Sequence, residues 1–256
     1  MRIYIFADME GCSGITGKQY VGGDRAQLGC DYMLGDVNAC VAGCFKAGAT
    51  EALVRDGHCS GVNLDLGKLD PRAELIAGCT PRERFADLDG CDALILLGYH
   101  AMAGTADAVL EHTYSSGSVQ NMWINGRKAG EFAFDAAIAA ERGVPTILVT
   151  GDDKVCAEAR TWLSEVVTCQ VKKSYNTGGA RVLPLQRARA LIEAKTIEAV
   201  NSIPRTALLR LDLPITLRRE FVERVDCPAD PAFTQLDART YEVSGNSLES
   251  LMLFNR

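Results

Sequence analysis

Four short apolar runs mark the first 151 residues of the chain, and stretches with helical periodicity separate them. Runs of four to eight apolar and β-branched residues are typical of buried strands, whereas longer segments with apolar residues three and four apart are typical of helices. Their alternation predicts an α/β fold, a largely parallel sheet flanked by helices. The four runs are RIYIFA (2–7), EALVRD (51–56), ALILLG (93–98) and PTILVTG (145–151).

A long helix is predicted between the first two runs, near residues 24–46. Apolar residues recur there at helical spacing, and Gly48 follows as a suitable C-terminal cap. Packing of one helix face against the sheet is sufficient to explain this pattern. The recurring positions are Met33, Val37, Val41, Cys44 and Phe45.

The segment 118–143 predicts a hairpin that leads into a helix. An Asn-Gly pair at 125–126 between two strand-like runs is the usual signal of a two-residue hairpin turn, and an alanine-rich helix follows from about residue 132. From Pro214 onward the chain is assigned only as mixed α/β. The elements predicted between these segments are a helix at 153–165, a strand at 167–173, a helix at 184–200 and a strand at 206–213.

The domain organisation is less sharply marked. A polar loop with Gly178 and Gly179 indicates a boundary near 165–180. We therefore expect an α/β domain over residues 1–170, which carries the candidate chemistry, and a smaller mixed α/β domain over residues 171–256. A chain of 256 residues also fits one large α/β domain, and both arrangements stay open at this point.

Charge and composition exclude several classes of partner. The net charge is −6, and the 27 basic residues are scattered among 33 acidic ones, so the sequence has no basic patch for nucleic acid or an anionic membrane. No apolar run reaches the length of a membrane span, and the chain enters a strand without a charged leader, so we expect a cytoplasmic protein.

Ten cysteines without a C-x-x-C pair are expected to be mostly reduced core residues.

Two acids, Asp8 and Glu10, close the first predicted strand, and Gly11 and Gly14 follow them. Residues two apart in a strand project to the same face, with Cα atoms about 6–7 Å apart. Two carboxylates held side by side repel each other, which favours a bound cation between them. The alternative is that these acids cap a helix or anchor a loop, because D-x-E is a short and common pattern.

All three histidines of the chain follow short apolar or strand-like runs and stand close to Gly or Ser. Because the carboxyl ends of parallel strands share one crevice, we expect the histidines to meet Asp8 and Glu10 there. Carboxylate and imidazole together are typical ligands of zinc or manganese, and one bridging carboxylate can hold two ions about 3.5–4 Å apart. The sequence therefore predicts a metal centre. The histidines are His58, His100 and His112.

Five short motifs stand in order along the first 165 residues: DMEG (8–11), DGH around His58, GYHAMAGT (98–105), His112 and GE (130–131). Each motif alone has low specificity, but the common order is specific. In this order they resemble the D-aminopeptidase family of the DppA type, whose members are dinuclear zinc peptidases. The resemblance weakens beyond residue 165.

The resemblance implies two zinc ions per chain and a catalytic role for His112. It also implies an α/β catalytic domain with a smaller C-terminal domain, and a homo-oligomer of pentameric rings that stack as a decamer. The implied substrate is a short peptide or amide with a free amino terminus, attacked by a hydroxide on the zinc pair and with D-amino-acid specificity. The implied ligands are Asp8 as the bridge, Glu10 and His58 at one ion, and His100 and Glu131 at the other.

Two positions depart from the family pattern. Phe6 stands where Ser is usual, and Asp135 stands where Asn is usual. Neither is an implied ligand, but we expect Asp135 to alter the charge near the substrate amine. The stretch GDDK (151–154) also resembles the family, although a helix N-cap at Asp152 or Asp153 explains it equally well.

Three other functions are compatible with the residues. A thiol nucleophile at Cys59 or Cys12 would use a neighbouring histidine as its base. A magnesium-dependent phosphotransferase of the haloacid-dehalogenase type would use Asp8 as nucleophile and Asp152 as a metal ligand, but it leaves the histidines unused. The third is a non-catalytic, metal-stabilised module that binds peptides.

Overall fold

The structure, a computed structural model, describes residues 1–80 and 84–253. The strands are β1 (Arg2–Ala7), β2 (Glu51–Asp56), β3 (Ala73–Ile76), β4 (Ala93–Tyr99), β5 (Val119–Ile124), β6 (Arg127–Lys128), β7 (Thr146–Asp152), β8 (Val167–Asn176), β9 (Gly179–Val182), β10 (Ile215–Phe221), β11 (Phe233–Gln235) and β12 (Thr240–Gly245). The helices are α1 (Lys18–Val21), α2 (Ala26–Lys46), α3 (Glu131–Glu141), α4 (Asp153–Trp162), α5 (Leu185–Ser202) and α6 (Leu248–Leu253), with a 3-10 turn at Ile203–Arg205.

Seven strands form the larger sheet, in the order β3-β2-β1-β4-β7-β8-β9. All neighbouring pairs are parallel except β8 and β9, which pair antiparallel. The central strands β4 and β7 are buried along their whole length, as expected for a sheet covered on both faces. The predicted α/β fold is confirmed.

The two faces of β1 show how the sheet is covered. Ile3 and Ile5 belong to a core cluster that includes the apolar residues of α2 and α5. Tyr4 and Phe6 belong to a second cluster, which includes α3 and the smaller sheet. Alternate side chains of one strand therefore contribute to two cores, and this explains why the run reads as continuously apolar in the sequence.

A second, antiparallel sheet has the order β11-β12-β10-β5-β6. Strands β5 and β6 form the predicted hairpin, and both turn residues have positive φ, 50° at Asn125 and 77° at Gly126. This is the backbone of a type I′ turn, which Asn-Gly favours because both residues tolerate a left-handed conformation.

One predicted strand is wrong. Residues 206–213 pair with no other strand among the described residues, and the next strand begins at Ile215. Leu209 and Leu211 nevertheless pack against the core that contains α3. The alternating apolar pattern in this segment reflects that packing, which requires no strand partner.

The sheet topology is relevant to the predicted domain division at residue 170 but does not test it. Strand β8 crosses residue 170 as part of the larger sheet, and the smaller sheet combines β5 and β6 with strands beyond residue 214. The division into domains 1–170 and 171–256 therefore stays a prediction, and residues 254–256 lie outside the described part of the chain. Within residues 1–80 and 84–253, no helix combines the length and apolar character needed to cross a lipid bilayer.

Candidate metal centre

Three neighbouring parallel strands, β2, β1 and β4, bring the predicted residues to one edge of the larger sheet. Asp8 directly follows β1, His58 stands two residues beyond β2, and His100 directly follows β4. Glu131 begins helix α3. The carboxyl ends of parallel strands are the usual location of ligand sites in open α/β sheets.

Asp8 and Glu10 do not continue the strand. Strand β1 ends at Ala7, so both acids lie in the following turn, and the expectation that strand alternation places them side by side is wrong. The turn presses against the end of β4: Gly11 N donates to Gly98 O over 2.7 Å, and a Cβ at Gly11 would lie 1.9 Å from Tyr99 O. Only glycine permits this approach.

Lys172, which sequence reasoning missed, fixes the same turn from β8. Its Nζ is buried and donates to three backbone carbonyls, those of Glu10 at 2.5 Å, Cys12 at 3.1 Å and Ile15 at 2.8 Å. Burial lowers the pKa of Lys172 to about 8. The side chain thus satisfies carbonyl groups of an irregular turn that has no strand partner at these positions.

The first part of the cluster surrounds His58. Its Nδ1 lies 3.2 Å from Asp8 Oδ1 and 3.1 Å from Glu10 Oε2. Its Nε2 lies 3.2 Å from Cys59 Sγ. His58, Asp8 and Glu10 are all at most 7% exposed, so these polar groups meet in a largely desolvated environment.

The second part surrounds Glu131 and contains two stacked imidazoles. Glu131 Oε1 lies 3.3 Å from His100 Nε2 and 3.8 Å from His112 Nε2, and it accepts a hydrogen bond from Tyr114 N over 2.8 Å. The rings of His100 and His112 stack with centroids 3.9 Å apart. Nδ1 of His100 lies 3.1 Å from Ala101 O, an arrangement that turns Nε2 of this histidine toward the carboxylates.

Asp8 connects the two parts. Its Oδ1 faces His58, and its Oδ2 lies 3.5 Å from His100 Nε2. Burial lowers the pKa of His58 and of His100, but the facing carboxylates outweigh this and raise the two pKa values to about 12 and about 10. Burial would raise the pKa of Asp8, yet the two imidazoles hold it well below its usual range. The carboxylates therefore require positive charge, which protonated imidazoles or a metal ion can supply.

The donor set fits zinc. Within the described part of the chain, two sets of ligand atoms each lie within 4.8 Å of one another. Two buried atoms, Glu10 Oε2 and His100 Nε2, have no hydrogen bond of acceptable geometry among these residues. Carboxylate and imidazole atoms with free lone pairs are the ligands zinc takes in open sites. The sets are Asp8, Glu10 and His100, and His100, His112 and Glu131.

An open cleft of about 770 Å³ leads to the cluster. Its lining includes Glu10, His58 and His112, together with Lys18 and Gln19. His112 keeps 17% of its side chain exposed there, whereas His100 is 2% exposed. A small molecule in the cleft can therefore reach His112 directly.

Asp135 does not face the cleft, contrary to the expectation that it alters charge near a substrate. It is fully buried, and its Oδ2 accepts hydrogen bonds from Arg84 Nη2 over 2.7 Å and from Tyr99 OH over 2.5 Å. Arg84 Nε donates to the other oxygen. The guanidinium compensates the carboxylate charge, and no feature of the sequence around Arg84 indicates this role.

Asp152 and Cys12, each a residue of one alternative from the sequence, have structural surroundings. Asp152 caps helix α4 and accepts hydrogen bonds from Lys154 N and Val155 N, which confirms the N-cap prediction. These hydrogen bonds engage the carboxylate that a phosphotransferase would need as a metal ligand. Cys12 is fully buried, and burial raises the pKa of its thiol well above the usual value, so it is not a thiolate nucleophile. Cys59 lines the cleft beside His58.

Comparisons with known proteins agree with the geometry. The family model described as D-aminopeptidase matches residues 1–255. The chain is 34% identical over 208 residues to a D-aminopeptidase of Bacillus subtilis (strain 168), covering 79% of this chain and 74% of the relative. A solved structure, the Zn-dependent D-aminopeptidase DppA from Bacillus subtilis, a self-compartmentalizing protease, superposes with a TM-score of 0.89 at 28% identity, covering 99% of this chain and 97% of that one. The chain belongs to the D-aminopeptidase family.

Proposed function

We propose that the chain is a zinc-dependent aminopeptidase that hydrolyses short peptides or amides with a free amino terminus and a D-configured first residue. The observation that supports it most is the position of Asp8, whose Oδ1 lies 3.2 Å from His58 and whose Oδ2 lies 3.5 Å from His100. A carboxylate with one oxygen toward each imidazole has the arrangement of a bridging ligand. Membership of the D-aminopeptidase family supports the reaction and the stereochemistry.

We assign two zinc ions to each chain. Zinc, when bound, polarises a substrate carbonyl and lowers the pKa of a water molecule toward about 7. His58 and His100 approach Asp8 from different strands, which supports their assignment to different ions. The assigned ligands are Asp8 at both ions, Glu10 and His58 at one, and His100 and Glu131 at the other.

His112 handles the proton. Its Nδ1 lies 2.9 Å from Leu110 O, and an imidazole that donates to this carbonyl carries its lone pair on Nε2. Stacking on His100 fixes the ring, and the side chain is reachable from the cleft. Nε2 takes a proton from the attacking water and returns it to the departing amine.

We also propose that the protein is a homo-oligomer of pentameric rings, stacked as a decamer. The support is the solved relative, which is a self-compartmentalizing protease. Light scattering on the purified protein measures the mass of the assembly, and a monomer or dimer at working concentration would contradict this part. The cytoplasmic location stays a prediction.

Matched chromogenic substrates test the activity. The set is the p-nitroanilides of D-alanine, L-alanine and N-acetyl-D-alanine, with p-nitrophenyl phosphate for the phosphotransferase alternative. We expect zinc in the purified protein, turnover of the free D-amine that chelation removes and zinc restores, and none of the acetylated compound. Equal turnover of free and acetylated anilides contradicts an aminopeptidase, phosphate release supports the alternative enzyme, and zinc without turnover supports a binding module.

A further inference from the structure

The guanidinium of Arg84 joins two carboxylates of helix α3. Arg84 Nε and Nη2 donate to the two oxygens of Asp135, and Nη2 also lies 3.2 Å from Glu131 Oε2. Glu131 and Asp135 are four residues apart, so they lie on one face of the helix, where like charges destabilise it. A buried pair of this kind requires a permanent cation.

The guanidinium has little freedom to move. Its Cζ lies over the ring of Phe6 at 4.6 Å from the centroid and over the ring of Tyr114 at 4.9 Å. Aromatic faces attract a guanidinium and fix the plane in which its N–H groups donate. The direction of the hydrogen bond from Arg84 to Glu131 is therefore set by the surrounding side chains.

The two oxygens of Glu131 consequently have different surroundings. Oε2 is held by Arg84, whereas Oε1 accepts from Tyr114 N and faces His100 Nε2 at 3.3 Å. Without Arg84, rotation about the last torsion would turn the carboxylate plane away from this orientation, because this torsion has a broad energy profile. Arg84 and Tyr114 N thus hold the carboxylate from two sides, with one oxygen facing the histidines.

We propose that Arg84 is a positioning residue for Glu131, which it holds with Oε1 directed to the metal centre. The proposal rests on the proposed function in one respect, the assignment of Glu131 as a zinc ligand. The competing explanation is that Arg84 only compensates the buried charge of Asp135. The two explanations differ in what happens when both Arg84 and Asp135 lose their charge.

The test compares Arg84→Met, Asp135→Asn and the double variant. Arg84→Met leaves Asp135 as an unpaired buried charge, so this variant is expected to unfold more easily. Asp135→Asn keeps the size of the side chain and an acceptor oxygen for Arg84. The double variant has no unpaired charge but lacks the hydrogen bond to Glu131, so it separates positioning from charge compensation.

Zinc affinity, measured by competition with a chelator, and melting temperature of the zinc-free protein are the readouts. We expect the double variant to regain the melting temperature lost in Arg84→Met. The zinc site assigned to His100 and Glu131 should lose affinity by about 10–100-fold, the usual effect of removing the partner of a ligand. Asp135→Asn should bind zinc nearly as well as the unsubstituted protein. Wild-type affinity in the double variant, or an equal loss in Asp135→Asn, would overturn the proposal.

Arg142→Met is the matched control. Arg142 lies at the opposite end of α3, is bidentate to Glu249, and has a side chain 16% exposed, against 18% for Arg84. Its loss should lower the melting temperature without changing zinc affinity. Glu131→Gln is measured first: unchanged zinc binding in that variant contradicts the ligand assignment of the proposed function, a failure distinct from an unchanged double variant.

Discussion

Two acids at the carboxyl ends of neighbouring strands, Asp8 and Asp56, have different hydrogen-bond partners. Asp56 ends β2 opposite Ala7, and Asp8 directly follows the end of β1. Asp56 accepts from Asn63 N over 2.6 Å and from Leu64 N over 2.9 Å. In the described part of the chain, no backbone N–H donates to the carboxylate of Asp8, whose partners are imidazoles.

Asp152, at the end of β7, behaves like Asp56. It accepts from Lys154 N and Val155 N at the start of α4, and Ser174 Oγ donates to it over 2.6 Å. Backbone donors occupy the lone pairs of such acids and tie them to the fold. An acid that meets only imidazoles keeps lone pairs for a cation, so the hydrogen-bond donors distinguish Asp8 from the structural acids Asp56 and Asp152.

Asp8→Ala should have the largest effect on function. We expect both proposed zinc ions to be lost, because the proposed assignment makes Asp8 a ligand of each, and hydrolysis to fall to the uncatalysed background. The zinc-free variant should melt slightly below the zinc-free parent, because His58 and His100 lose one facing carboxylate while Glu10 and Glu131 remain beside them. Mass spectrometry of metals and thermal unfolding measure both effects, and retention of zinc would contradict the two-metal assignment.

His112→Ala tests the division between ligand and proton carrier. We expect both zinc ions to remain while kcat falls by about 10²–10⁴-fold, the usual contribution of a positioned acid–base group. The melting temperature should change little, because the side chain is partly exposed. Loss of zinc would instead make His112 a ligand, and a normal kcat with intact metal would remove it from the mechanism.

Asp56→Ala tests the other side of the comparison. We expect the free energy of unfolding to fall by about 2–4 kcal/mol, because Asn63 N and Leu64 N lose their acceptor. At saturating zinc the metal content should be retained. Asp65→Ala is the control in the same loop, since Asp65 also accepts a backbone N–H, that of Gly67, but is exposed. Equal stability losses in the two variants would contradict the importance of burial.

The local pattern of apolar residues was sufficient to predict most strands of the larger sheet. The predicted strands at 2–7 and 51–56 have the observed bounds, and the long helix begins at Ala26 rather than residue 24. These elements carry their signal in consecutive residues. The smaller sheet could not be predicted in this way, because β5 pairs with β10, almost a hundred residues later.

The site could be predicted only where its residues follow strands. The carboxyl ends of adjacent parallel strands lie together whatever the conformation of the loops. His58 and His100 could therefore be placed beside Asp8 from their sequence positions after strands. Arg84 and Lys172 reach the site through tertiary contacts that no local pattern signals. The turn at Asp8 also depends on the close approach of Gly11 to β4, which a strand pattern does not show.

Asp36 is the intermediate case in the comparison of buried acids. It accepts one backbone hydrogen bond, from Ser13 N over 2.7 Å, while its Oδ1 has no hydrogen bond among the described residues and lies 3.9 Å from Arg189 Nε. Burial raises its pKa to about 6, although Ser13, Arg189 and Lys172 act in the opposite direction. A partly satisfied acid should therefore make stability depend on pH.

The sign of that dependence follows from the proton count. Between about pH 4 and pH 6 folded Asp36 holds a proton that the unfolded chain has released, so its contribution to stability is lost as the pH rises through this window. Asn at this position does not titrate. The free energy of unfolding of the zinc-free parent, relative to Asp36→Asn, should therefore fall by about 1–3 kcal/mol from pH 4 to pH 7 and level off at higher pH. Urea unfolding of both proteins at each pH measures the difference, and a flat difference would mean that Ser13 N and Arg189 satisfy this carboxylate as fully as the backbone satisfies Asp56.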